Sequence, residues 1–347
     1  MITNVNDQQH SESADPHFGL ILALTINGLA VGDYREMVRV AQLAERYRFD
    51  SIWTCDHFLT LSPDDYVKDA GIDGNGARSG DDRRRSMPLL EGWTALSALA
   101  RDTTTLRLGT SVLCNSYRYP SVLAKMAATL DVISDGRLDL GIGAGWFQQE
   151  FSAYGIPFPS VGDRVSALQE SLDVLKAVWT QPNPTYSGRF YTLDGAVCDP
   201  PPLQRPHPPL WVGGEGDRVQ RIAARSAQGL NIRWWSPEKV LSRREFLNRA
   251  CESVGREPKT LRLSLTALLA PTESAAQEAQ IRAEFASIPE TGLIVGPIDQ
   301  CIDRINEYRR SGIDHFLFTI PHVARSEHLA AVGESIIPQM KTPISVR

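Results

Sequence analysis

The chain has 347 residues, 42% hydrophobic and 22% charged, and its 36 Lys+Arg against 41 Asp+Glu leave a net charge of −5. That balance argues against nucleic acid or an anionic membrane as the main partner, and no apolar run approaches the roughly 20 residues needed to span a bilayer. Five scattered cysteines without a C-x-x-C pair read as reduced thiols, and seven histidines without an H-E-x-x-H motif give no metal site.

In chain order, residues 1–17 (MITNVNDQQHSESADPH) are polar and lack the basic start and apolar stretch of a signal peptide. They read as a disordered tail on a cytoplasmic protein. FGLILALT (18–25) is strand-like. After it Tyr34, Met37, Val38, Ala41, Ala44 and Tyr47 recur at helical spacing, with Asp33 as N-cap. SIWTCD (51–56) is a second strand. The segment 59–88, with DGNGARSGDDRRRS, is too long and polar for an ordinary connection; it reads as an insertion, a lid or a mobile loop. EGWTALSALARDT reads as helix, TLRLGTSVL (105–113) as strand, and PSVLAKMAATLDVIS (120–134) as a helix opened by proline. GRLDLGIGAG (136–145) is a strand ending in glycines. Val165, Leu168, Leu172, Leu175 and Trp179 form the apolar stripe of the next helix. Residues 182–208 are Pro-rich and read as an irregular insertion. PLWVGG, GLNIRWW, LRLSLTALLA and GIDHFLFTI supply the remaining strands, separated by amphipathic stretches and followed by a last helix near 325–340.

About eight strands, nearly every one followed by a helix, call for a parallel sheet with helical crossovers. Their number and the chain length favour closure into a (β/α)8 TIM barrel. No linker or repeat divides the chain, so residues 18–347 read as one α/β domain.

Function in such a barrel sits on the loops after the strands' C-terminal ends. These are Asp56-His57, Ser111 to Tyr117, Gly143 to Gln149, Gly213 to Asp217, Arg233 to Trp235 and Pro321-His322. An Asp-His pair there can hold a ligand or exchange a proton near neutral pH; the plainer alternative is a histidine bonded to its own aspartate. GIGAGW (141–146) fails as a dinucleotide fingerprint, because Trp146 takes the place of the third glycine. Its glycines are expected to let a flat ligand approach the backbone. GGEGD (213–217) either offers helix N-terminal amides to a phosphate or carboxylate or forms a tight turn. Trp53, Trp146, Trp234 and Trp235 fall at strand ends, and their convergence on one mouth would suit a planar ring.

SIWTCDHF, LRLGTSVLCNSYRYPSVLAKMAATLDVISDGRLDLGIGAGWFQQEFSAYG and PPLWVGGEGDRVQRIAARSA, in that order, resemble the bacterial-luciferase-like flavin and deazaflavin oxidoreductases. Within them the chain is most similar to the coenzyme F420-dependent branch. The resemblance implies a luciferase-like barrel, often a homodimer, with its cofactor at the mouth. It implies that Asp56 and His57 touch the deazaflavin and that Ser111-Val112 is a non-proline cis peptide supporting the ring. Cys114 stands where that branch has a cofactor-contacting threonine, and Gln149 where it has an asparagine. Gly214, Glu215, Gly216, Arg218 and Val219 fall beside the phosphate, and Gly145 and Trp146 complete the expected cofactor set. Its sugar-phosphate dehydrogenases carry a catalytic glutamate at the position of Trp146 and a tryptophan at that of Leu61, so this chain lacks that proton acceptor. The expectation is a reductase moving hydride between F420 and a C=C or C=N bond, with His57 and Asp56 as catalytic pair. An FMN-dependent monooxygenase is the alternative, and a non-catalytic cofactor-binding protein a third reading.

Overall fold

The computed structural model describes residues 15–22, 33–61, 88–323 and 326–341. The expected tail, but for its last residues, and all but the ends of the 59–88 insertion lie outside them, and with them any lid. Among the described residues the strands are β1 (His17–Ile21), β2 (Ser51–Thr54), β3 (Arg107–Thr110), β4 (Leu113–Cys114), β5 (Leu138–Gly143), β6 (Thr185–Ser187), β7 (Thr192–Asp194), β8 (Leu210–Gly213), β9 (Gly229–Arg233), β10 (Arg262–Pro271), β11 (Leu293–Gly296) and β12 (His315–Thr319). Eight of them close in the order β1-β2-β3-β5-β8-β9-β10-β12, with β12 returning to β1 and every pairing parallel. This is the (β/α)8 barrel that the alternation of elements implied.

The barrel strands carry an outward apolar face, and the helices cover it. In β12, Phe316 and Phe318 point to the helices with Phe18 of β1, while Leu317 points into the barrel. Among the described residues the helices are α1 (Tyr34–Arg46), α2 (Gly92–Asp102), α3 (Pro120–Ile133), α4 (Gln148–Ala153), α5 (Val161–Thr180), α6 (Asp217–Ser226), α7 (Pro237–Glu252), α8 (Ala275–Glu284), α9 (Ile298–Ser311), α10 (Ser326–Ala331) and α11 (Ile337–Met340), the last two where the final helix was expected. Asp33 caps α1 by accepting from the Arg35 N–H at 2.9 Å, as its position suggested.

Two expectations change. The 182–208 insertion is not irregular throughout: β6 and β7 form an antiparallel hairpin, and Glu170 of α5 accepts the Arg189, Phe190 and Tyr191 N–H groups to hold its turn. Strand β11 was hidden because LIVG is a four-residue apolar run with no alternation; it pairs with β10 outside the barrel.

The barrel interior is built around two tryptophans. Trp53 and Trp211 meet edge to face, with centroids 6.1 Å apart, and pack with Ile21 and Leu317. Each ring lies on a glycine of the neighbouring strand. A Cβ on Gly109 would come within 2.3 Å of Trp53, and one on Gly229 within 2.1 Å of Trp211. A buried ring of about 200 Å² contributes about 5 kcal/mol, so these glycines make space for substantial packing. Against the rings lies His315, its centroid 4.1 Å from that of His17, and Asp139, paired with Arg107, accepts from the Trp211 indole N–H at 3.4 Å.

Candidate functional site

The chain leaving β2 carries His57 to the C-terminal mouth of the barrel, where its side chain is 14% exposed. Its Nδ1 lies 2.9 Å from Oε2 of Glu150, which is 0% exposed on α4. The same oxygen accepts from the Tyr117 hydroxyl at 2.8 Å, and Oε1 accepts the N–H groups of Phe58 and Leu59 at 2.7 and 2.9 Å. Burial opposes the charge on Glu150. His57, the Leu59 N–H and Tyr117 outweigh it and hold the carboxyl below its ordinary range. A carboxylate only accepts, so Nδ1 of His57 carries the proton. Phe58 stacks on Tyr117 at 4.6 Å and braces that hydroxyl.

Glu150 lies one residue beyond the loop singled out in the sequence. Phe147 and Phe151 sit four apart and are buried, and Glu150 falls on the same face. An acid on the apolar side of a short helix was the signal available.

Asp56, expected to act with His57, is held by other groups. Its carboxylate accepts a forked pair of bonds from Arg118 at 2.8 and 3.0 Å and the Cys114 N–H at 2.8 Å. Arg118 also pairs with Glu91, which caps α2 through the Trp93 and Thr94 N–H groups. Asp56 thus ties the end of β2 to β4 and α2. Burial pushes its carboxyl up, and Arg118 and the Cys114 N–H pull it back. Burial likewise pushes the Cys114 thiol up to about 12.

The Ser111-Val112 peptide is cis, the geometry the resemblance implied. The resulting bulge uses the glycines expected to admit a flat ligand. A Cβ on Gly143 or Gly213 would stand 2.9 or 2.8 Å from Val112 Cγ2, and one on Gly145 2.5 Å from Cys114 Sγ. The chain's own bulge fills that space, while Ser111 and Val112 stay half-buried.

The four tryptophans do not all converge on the mouth. Trp53 is in the barrel interior, and Trp235 is buried with its Nε1–H on Glu215 at 2.6 Å. Trp146 and Trp234 remain, packed with Leu59, Leu61 and Phe147. The Trp146 ring stands 5.7 Å from that of His57.

On the β8 side, Gly216 is the N-cap of α6, and no side chain caps the helix. A Cβ on Gly216 would meet nothing within 4 Å, and the first N–H groups of such an uncapped helix suit an anion. The two acids there are countered: Glu215 by Lys239 at 3.1 Å and Asp217 by Arg243 at 2.6 Å. Arg218 joins α6 to α5 through the Ser166 hydroxyl at 2.8 Å. Val219 is buried beside Gly214, and Gln149 is half-buried on α4. Among the described residues no cluster of three His, Cys, Asp or Glu side chains could hold a metal, and no helix is long and apolar enough to cross a membrane.

Residues 17–292 match the luciferase-like monooxygenase family. An F420-dependent glucose-6-phosphate dehydrogenase of Amycolatopsis mediterranei is 25% identical over 339 residues, spanning 88% of this chain and 95% of its own. The FMNH2-dependent dimethylsulfone monooxygenase of Pseudomonas putida is 34% identical over 135 residues, 39% of this chain and 37% of its own. Among solved structures, an F420-dependent secondary alcohol dehydrogenase in complex with an F420–acetone adduct superposes with a TM-score of 0.75 at 18% identity, covering 94% of this chain and 99% of that one. A family match over most of the chain, on a closed parallel barrel, makes this protein a member of the luciferase-like monooxygenase family.

Proposed function

We propose that this protein is a cytoplasmic, homodimeric oxidoreductase that uses coenzyme F420 to move hydride to or from a C=C or C=N bond of a small organic molecule. The observation that carries the reading is His57, held at the mouth by a buried carboxylate that fixes its proton on Nδ1. The residues present fit the coenzyme. Uncapped amides at Gly216 and the countered acids beside them suit its phosphate. The half-buried Ser111-Val112 bulge offers a shelf for a planar ring. Reduced F420 supplies hydride chemistry when bound. His57, with Nδ1 committed to Glu150, exchanges the accompanying proton through Nε2. Tyr117 and the two N–H groups hold Glu150 and so keep the imidazole in one orientation.

The named activities of the dehydrogenase relative and of the alcohol dehydrogenase with the same fold support F420. The similarity to a monooxygenase of Pseudomonas putida favours FMN as the second reading. Parallel fluorescence titrations of the purified protein with F420 and FMN decide between them. Micromolar binding of F420 is expected, and binding of FMN with none of F420 would move the assignment to a monooxygenase.

A further inference from the structure

Leu59 and Leu61 follow β2, Trp146 and Phe147 follow β5, and Trp234 follows β9. These are the second, fourth and sixth strands around the barrel, so their loops reach one another only by crossing the mouth. The five side chains meet there as one apolar cluster. Leu61 and Phe147 are buried within it, and Leu59, Trp146 and Trp234 stay partly open. The His57 ring stands 5.7 Å from Trp146 and 6.3 Å from Phe147, so the proposed proton carrier looks into this apolar roof.

Trp234 is held there against its own backbone preference. Its φ is +57°, a left-handed conformation that bulky residues rarely adopt. Its N–H donates to the Thr266 carbonyl at 3.2 Å and its carbonyl accepts from the Thr291 hydroxyl at 2.7 Å. Its ring lies on Gly292, where a Cβ would come within 2.4 Å of Cδ1. Strained residues over-determined in this way gather at ligand clamps. The Arg233 guanidinium, 4.7 Å from the ring centroid, stiffens it further.

We propose that this roof selects an uncharged, planar, ring-bearing acceptor, of the class of an aryl or cyclic enone, stacked on Trp234 and Trp146, and excludes phosphorylated sugars. The inference rests on the oxidoreductase reading above and names the substrate class of the same site. A phosphate dianion set against two leucines, two tryptophans and a phenylalanine would lose hydration, and to pair with Arg233 it would have to draw that guanidinium off the Trp234 ring. A planar ring loses little and gains stacking area. In an enone the β-carbon would take the hydride, with its electron pair, that reduced F420 supplies when bound, leaving the coenzyme oxidised. The α-carbon takes the proton by way of His57, and the C=C bond becomes a single bond.

Benzalacetone, a planar uncharged aryl enone, and glucose 6-phosphate serve as probes, each titrated calorimetrically into protein loaded with oxidised F420. Benzalacetone should bind and glucose 6-phosphate should not. Trp234→Asn removes the ring while tolerating the left-handed backbone; it should weaken benzalacetone by about tenfold, the size of one aromatic contact. F420 affinity, read separately by its fluorescence, should stay within threefold, and Trp234→Phe should restore most of the benzalacetone affinity. Tighter binding of glucose 6-phosphate than of benzalacetone overturns the proposal. So does a Trp234→Asn protein that loses F420 as strongly as benzalacetone, since the ring would then hold the coenzyme. Failure of the wild-type protein to bind F420 sinks the cofactor reading instead, and the benzalacetone titration on cofactor-free protein still decides the substrate class.

Discussion

Glu150→Gln isolates the carboxylate from the fold it sits in. Four donors converge on its two oxygens, and glutamine keeps only one acceptor. If the amide oxygen takes the place of Oε1, the Phe58 and Leu59 N–H groups stay satisfied. The amide NH2 then faces Tyr117 and His57. Both can reverse their roles: the hydroxyl turns to accept, and the imidazole moves its proton from Nδ1 to Nε2. The fold loses charge assistance, not packing, so stability should fall by only about 1–3 kcal/mol. The chemistry should suffer more, because the reduction draws on a protonated imidazole that gives up its Nε2 proton, and that cation has lost its counter-charge. Turnover should drop by about 100- to 10,000-fold, which is about 3–5 kcal/mol of barrier, with F420 affinity within threefold. The assay follows oxidation of reduced F420 by benzalacetone under single-turnover conditions, with nitrogen NMR of the imidazole to read the tautomer. Turnover within threefold of wild type, with the proton still on Nδ1, would refute the positioning role of Glu150.

Three further outcomes are expected. Burial pushes His17 down to about 4, against opposing help from Asp50 and Asp139, while the unfolded chain takes its proton near 6.5. Stability should therefore fall by about 3 kcal/mol on account of His17 as pH drops from 6.5 towards 4; burial holds the neighbouring His315 down as well and adds to the fall, so urea melts across that range check it by comparison, with His17→Asn showing a shallower dependence than wild type. Gly109→Ala forces a Cβ to within 2.3 Å of Trp53 and should cost about 1–3 kcal/mol by overpacking, read as a lowered urea midpoint. Asp56→Asn leaves the buried Arg118 with Glu91 alone and should cost about 3 kcal/mol. The His57 NMR signals should stay in place; if they shift as far as in Glu150→Gln, Asp56 does orient the imidazole after all.

The fold was legible because each barrel strand is an apolar run bounded by turn residues and trailed by a helix of period near 3.6. All eight barrel strands lie where such runs lie. What escaped was set by contacts between distant segments. Strand β11 has no pattern of its own and exists because β10 extends past the barrel to pair with it. The turn of the β6–β7 hairpin depends on Glu170, some twenty residues earlier in the chain. The glycines of GIGAGW announced close approach, and Thr110, Val112 and Cys114 of this same chain lie against Gly141, Gly143 and Gly145.

The candidate site divides along the same line. Proximity in sequence suggested that Asp56 serves His57, since adjacent residues at a strand end are the pair a reader sees. Successive residues leaving a strand point to opposite sides, and here that rule decides the partners. Asp56 turns down toward β4 and meets Arg118; His57 turns across the mouth and meets an acid 93 positions later. Each carboxylate is then assigned by what surrounds it. A guanidinium, which does not give up its proton in proteins, makes Asp56 a structural tie. A ring that can carry its proton on either nitrogen makes Glu150 the group through which the fold governs His57. The residue most worth mutating was thus one that spacing could place on a buried face but that only the closed barrel could bring to the histidine.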